Sequence, residues 1–281
     1  MKEIGPIIVA LVLFAAILLA LHNNGALFKP VTGGLNPTKN LNTNKNIGEV
    51  QGAHIKGSSN TSPFAGDIDI DDIVEPGTFT GSEYIVLTTS TDEPINITGW
   101  SIVSDVTGSK AVIGNASNMP LIDPEKAIVV NGYQKVIISS DKSPIGISFR
   151  TNACTGYIED KENFNPKLEM RCPDLDNGKL PNQIEDSDTC MNYINSLSVC
   201  EVPPKNLPNM PQYCEDFIKE KASYQGCVNM YKNSKNFLGK EWRVFLKSNM
   251  PFWKKDKDGK SDQEILRLID AQGRTVDTFT Y

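Results

Sequence analysis

All six cysteines of this chain (Cys154, Cys172, Cys190, Cys200, Cys214 and Cys227) fall in one segment, with the pattern of short β-strands on both sides of it. On the N-terminal side Glu83 to Ile102 reads as strand, turn and strand, ending at the step Gly99-Trp100. On the C-terminal side stand Trp242–Leu246, Ile265–Ile269 and the final stretch Thr275 to Tyr281. A sheet protein whose partner strands are separated in this way must carry the intervening residues as an insert. The expected fold is mainly β: an immunoglobulin-like antiparallel β-sandwich, with strands from 64–150 and 241–281, interrupted by a small helical insert over 152–240. For such an insert to be tolerated, Arg150 and Trp242 must lie on neighbouring strands.

The cysteines read as three disulfides. Zinc sites use close pairs such as Cys-X-X-Cys, commonly with histidine. Here the closest pair, Cys190 and Cys200, is ten residues apart, and the only histidines are His22 and His54, outside the segment. An even number of cysteines downstream of an export signal is the pattern of a disulfide framework. Six cysteines allow roughly fifteen pairings, and spacing does not choose among them.

The export signal is the uncharged run from Ile4 to Leu21, 18 residues long. That length just spans a bilayer core as a helix. Lys2 precedes it and the next cation is Lys29, which favours an N-terminus on the cytoplasmic side. A transmembrane signal anchor over 1–22 is expected, with a cleaved signal peptide as the rival, although Leu21-His22-Asn23-Asn24 makes a poor cleavage site. Residues 23–63 are rich in Asn, Gly, Thr and Ser and have no Phe, Trp or Tyr after Phe28, the composition of a flexible stalk. This reading leaves the chain in the cell membrane with a single pass, its bulk extracytoplasmic and the helix its contact with the membrane.

Within 64–150 the strand signals are short and frequent. Asp67 to Asp71 alternates strictly, Pro94 supplies a turn, and Asn131-Gly132 predicts a hairpin between 126–130 and 135–139. Alternation stops after residue 152. Helices are expected near Ser187–Leu197, Tyr213–Ala222 and Ser223–Lys232, with prolines 203, 204, 208 and 211 breaking the chain between the first two.

Glu83-Tyr-Ile-Val-Leu followed by Glu93 to Ile102, then Ala127 to Ile138, then Ile265 to Asp277 resembles, in order, the opening, the central hairpin and the closing hairpin of lamin-tail domains. The cysteine-bearing insert, with Asn152-Ala-Cys-Thr-Gly-Tyr157 and Tyr224-Gln-Gly-Cys-Val228, is similar to exported prokaryotic members of that family. The resemblance covers about 64–150 and 241–281. It implies an immunoglobulin-like sandwich used as a binding module, and it carries no catalytic residues to transfer.

The residues themselves offer little chemistry. Both histidines precede the folded part, so a triad built on imidazole has no base there. The net charge of -6 argues against nucleic acid as a partner. Asp67, Asp69 and Asp71 share one face of an ideal strand and form a calcium candidate. Asp256 to Asp262 has part of an EF-hand pattern, but Arg267 stands where a bidentate Glu is needed. Lys254, Lys255, Lys257 and Lys260 read as a solvated loop. Trp100 and Trp242 fall in strand patterns and are expected in the core, whereas Phe252 and Trp253 follow Pro251 and are a candidate exposed contact. The expected role is a non-catalytic binding or structural module at the cell surface, needing no cofactor, whose ligand is an unidentified protein or surface polymer. An exported hydrolase or its accessory subunit, and a pilin-like filament subunit, are the alternatives.

Overall fold

The computed structural model describes residues 60–74, 83–175, 180–246 and 265–280. The expected membrane helix and most of the stalk lie outside these residues, and no helix among them is long and apolar enough to cross a membrane. In chain order the strands are β1 (Ile68–Val74), β2 (Tyr84–Thr89), β3 (Ile95–Asn96), β4 (Ser101–Ser104), β5 (Lys110–Val112), β6 (Val129–Val130), β7 (Lys135–Ser139), β8 (Phe149–Asn152), β9 (Leu238–Phe245), β10 (Ile265–Ile269) and β11 (Thr275–Thr280). They form a five-stranded sheet in the order β1-β2-β7-β9-β8, a four-stranded sheet in the order β11-β10-β4-β5, and the two-stranded pair β3-β6.

The inward positions of both larger sheets meet in one core. Ile85, Leu87, Val136, Ile138, Trp242 and Val244 of the first sheet join Ile102, Leu266, Leu268 and Val276 of the second. Trp100 is 1% exposed, its ring 5.5 Å from that of Phe64, so both strand tryptophans are core residues as their period-two setting predicts. Each large side chain removed from water in this way contributes about 1.5–3 kcal/mol. Trp242 keeps its polar edge satisfied, because its Nε1 donates to Gln134 Oε1 at 2.8 Å.

Two expectations about pairing are corrected. The segments around Asn131-Gly132 do not form a hairpin: β6 pairs with β3, whereas β7 pairs with β2 and β9. Gly132 and Tyr133 both have positive φ, and the chain uses them to cross from one sheet to another while Gly132 N–H donates to Thr91 O. A similar crossing occurs at Gly99, whose φ of +86° suits a residue without Cβ and separates β3 from β4. Nor is the larger sheet wholly antiparallel, since β7 and β9 run parallel, Val136 opposite Trp242.

The parallel pair follows from the insert. Parallel neighbours need a long crossover connection, and residues 140–237 supply it. β9 enters the sheet between β7 and β8, which places Trp242 opposite Arg150 as anticipated. The Arg150 guanidinium lies 5.5 Å from the Trp242 ring, and its Nε donates to Gly239 O at 2.8 Å. Strands in parallel pairs are usually covered on both faces, and these are: Trp242 and Val244 face the second sheet, while Phe245 packs beneath the insert.

The insert contains helices α1 (Gly156–Glu159), α2 (Asn182–Glu185), α3 (Asp188–Ser196), α4 (Gln212–Lys221) and α5 (Tyr224–Tyr231). The three longer ones fall where the sequence predicts; the single turns α1 and α2 carry too short a pattern to be read. Ser187 and Ser223 cap α3 and α5 by accepting from the amides of Cys190 and Gly226. All six cysteines are paired: Cys154 with Cys227, Cys172 with Cys200, and Cys190 with Cys214. The first bond ties the end of β8 to α5, the second joins two loops, and the third joins α3 to α4. A separate buried cluster surrounds them and includes Phe164, Ile184, Ile194, Ile218 and Val228. It reaches the sheet through Phe149 of β8 and Phe245 of β9, whose ring centroids lie 5.6 and 6.4 Å from that of Phe164.

The last hairpin is organised by Asp270, which is 2% exposed. Its carboxylate accepts from the amides of Gln272 and Arg274, from Arg274 Nε at 2.8 Å and from Ser62 Oγ at 2.8 Å. Burial alone would raise its pKa, but these hydrogen bonds hold it below the ordinary carboxylate value. Because Ser62 N–H also donates to Thr275 O, and Thr275 N–H to Asn60 O, backbone pairing already begins at Asn60, inside the segment expected to be stalk.

Candidate functional site

Where the insert meets the outer face of the five-stranded sheet, a cleft of about 430 Å³ opens. Its floor comes from the starts of β7 and β9 and the end of β8; its far wall is the loop carrying Lys167, Glu169 and Arg171. The volume lies within the roughly 300–1,000 Å³ usual for small-ligand sites.

Arg243 of β9 holds the two walls together. It is 4% exposed, and its guanidinium donates to the carbonyls of Pro166 and Lys167 and, through Nε, to Glu241 Oε1 at 2.6 Å. These bonds fix the 166–171 loop against the sheet and occupy the Glu241 carboxylate. Lys135 lies opposite Glu241 in the parallel register, yet that carboxylate pairs with Arg243 rather than with Lys135. Thr151 Oγ1 donates to Glu241 O at 3.0 Å, which closes the β8–β9 junction under the cleft.

The charge of this cleft is opposite to that of the chain. Lys135, Lys167, Arg171, Lys240 and Arg243 line it against two carboxylates, Glu169 and Glu241, while the protein carries -6. Lys135, Lys167 and Lys240 are exposed and have no carboxylate partner among the described residues. Arg171 meets Glu169 only at 3.7 Å, with both side chains more than 70% exposed, a pairing worth little in water. At the rim Tyr133 is 70% exposed. Chemically this is a cationic, polar recess that offers hydrogen-bond donors and positive charge.

The sequence-predicted site residues fare unequally. The six cysteines are brought together as disulfides, so none is available as a nucleophile or ligand. The calcium cage expected from Asp67, Asp69 and Asp71 is not assembled. A register shift between Ile70 and Asp72 makes Asp71 a bulge residue, so the alternation that would align three carboxylates fails there. Asp72 Oδ1 is used by the Ile73 amide and Asp277 Oδ2 by the Ile70 amide. Partial burial, then repulsion from Asp277 and Asp67, raises the pKa of Asp69. Among the described residues no group of three or more His, Cys, Asp or Glu could hold a metal ion. Phe252, Trp253, the lysines that follow them and the stretch with part of an EF-hand pattern lie outside the described residues.

The cleft residues escaped sequence reading for a simple reason. Tyr133, Lys135, Lys167, Arg171 and Lys240 are spread over more than a hundred positions, and each alone looks like a solvated side chain. Lys135 opens β7 and Lys240 stands in the less buried first half of β9, but neither position says that the two lysines meet. No protein-family model, no curated protein and no solved structure matches this chain.

Proposed function

We propose that the protein is a non-catalytic binding or structural module of the cell surface, anchored by its N-terminal apolar run and built on a lamin-tail-like, immunoglobulin-like β-sandwich. The observation that carries this reading is the complete pairing of six cysteines within one insert, the mark of an oxidising, extracytoplasmic environment. Two sheets sharing one core support the sandwich, and the strand–turn–Gly-Trp opening and Asp-X-X-Gly closing hairpin support the lamin-tail likeness. The absence of histidine from residues 55–281 supports a role in binding rather than in acid–base catalysis. The insert, mounted on a loop between strands, is the natural place for a binding surface.

The test is fractionation of cells expressing the full chain, with protease added to intact cells and thiols counted by mass spectrometry. Recovery in the carbonate-washed membrane pellet, digestion from outside and no free thiol are the expected results. A soluble cytoplasmic protein with six free thiols would overturn the proposal.

A further inference from the structure

We infer that the cationic cleft between the insert and the sheet is a binding site for an acidic polysaccharide, one whose sugars carry carboxylate or sulfate groups. This deepens the surface-module reading and rests on it for the place where such polymers are met. Four features carry the inference. Lys135, Lys167 and Lys240 present to one recess ammonium groups with no carboxylate partner among the described residues, and Arg171 has only a distant, exposed partner there. The recess is held open by construction, since buried Arg243 clamps its loop wall to β9 through two backbone carbonyls. Asn236, exposed on the lining, adds a neutral amide able to meet hydroxyl groups.

The fourth feature is Tyr133. It is 70% exposed and has a φ of +58°, a conformation uncommon for a bulky residue. Residues held in such conformations cluster at ligand sites. An exposed aromatic face beside cations and an amide fits a charged sugar ring, which has an apolar face, hydroxyls and an acid group. A bare polyanion would use the lysines and leave the ring and the amide idle. Nucleic acid fits poorly, because a long phosphate chain leaving the cleft would run along a protein of net charge -6. Lys135, Lys167, Arg171 and Lys240 would bind the acid groups, Tyr133 would stack on the sugar, and Arg243 is a positioning residue.

Binding of the full chain in detergent micelles to polygalacturonate and to dextran sulfate is measured by calorimetry at low salt, with neutral dextran and poly-glutamate as comparators. Binding to at least one acidic glycan, absence of binding to neutral dextran and weakening as salt screens the charges are expected; which glycan binds separates carboxylate from sulfate. Joint replacement Lys135→Gln and Lys240→Gln should weaken binding by about tenfold. Tyr133→Ala should weaken glycan binding and leave any poly-glutamate binding unchanged. Lys110→Gln, on β5 of the other sheet, should change nothing. Thermal unfolding of each variant shows that the fold is retained.

No binding of any probe, or glycan binding unaffected by the double replacement, overturns the site. Poly-glutamate binding as tightly as polygalacturonate, with Tyr133→Ala silent on both, overturns the sugar assignment in favour of an acidic peptide. Either result obtained with protein that still fractionates to the membrane and is cleaved from outside would leave the surface-module reading standing. Failure of that reading would appear in fractionation alone.

Discussion

The two buried clusters of this molecule are held by different means. The core shared by the sheets is aliphatic, built from Ile, Val and Leu around Trp100 and Trp242, and contains no cysteine. The core of the insert is richer in aromatic rings and in sulfur, with Phe149, Phe164 and Phe245 beside Cys154, Cys190, Cys200, Cys214 and Cys227, all buried. Strands bury one face by simple alternation, and two facing sheets close a core over a few strands. Helices of four to ten residues broken by prolines expose most of their backbone ends and bury little apolar area. The insert therefore leans on cross-links that restrict its unfolded chain, a need that small units of low apolar content commonly meet with disulfides. Yet the two regions are not independent, because Phe149 and Phe245 leave the sheet to pack on Phe164, and β9 reaches the sheet only after the chain has passed through the insert.

The sharpest way to break this comparison is to remove the cross-link that spans most chain. Cys154 and Cys227 are 73 residues apart, and replacing both by Ser should cost about 4 kcal/mol. Fluorescence of the tryptophans and proteolysis within 156–236 should then report one coincident unfolding transition at lower denaturant. Two separated transitions would show that the sheets stand without the insert.

A smaller effect, confined to the insert, is expected from Gly226→Ala. A Cβ there would sit 1.9 Å from Glu220 O at the crossing of α4 and α5. Backbone cannot yield as a flexible side chain does, so overpacking should cost about 3 kcal/mol. Hydrogen exchange should quicken in α4 and α5, by local opening below the global transition, while β2 and β7 stay protected; uniform quickening would mean that the insert opens only together with the whole molecule.

The smallest effect belongs to the sheet side. Asp270→Asn removes the charge that four hydrogen bonds address and should cost about 2 kcal/mol at neutral pH. Because the folded pKa of Asp270 lies below its unfolded value of 3.8, the unfolded chain binds more protons as pH falls, and stability is lost in that direction. The native protein should therefore lose stability as pH drops below about 4, and the variant should show a shallower acid slope in denaturant melts. An unchanged slope would remove Asp270 from the account of acid sensitivity.

Several features were legible residue by residue. Strict alternation around Ile68 and Ile70 and the apolar runs of β2, β7 and β9 needed only local physics, whereas the closing turn at Asp270-Ala-Gln-Gly273 came from the lamin-tail resemblance. Local physics also sufficed for the start of α3 at Ser187, whose hydroxyl can accept from the first-turn amides. The bulge at Asp71 was not legible, since it arises from pairing with Val86 and Leu87 and not from the Asp-rich sequence itself. Asn131-Gly132 misled for the same reason: a dipeptide fixes a turn, and the strand that each arm then meets is set by distant chain.

The amino-acid sequence by itself determined that this protein has short paired strands, an interrupting cysteine segment and no histidine after His54. These follow from periodicity, turn chemistry and composition, which act over a few residues. Only the tertiary structure decided which cysteines join, that β7 and β9 run parallel, and that Lys135, Lys167, Arg171 and Lys240 face one recess. Those are contacts between residues far apart in the chain, chosen by the joint packing of two cores, and no local preference encodes them.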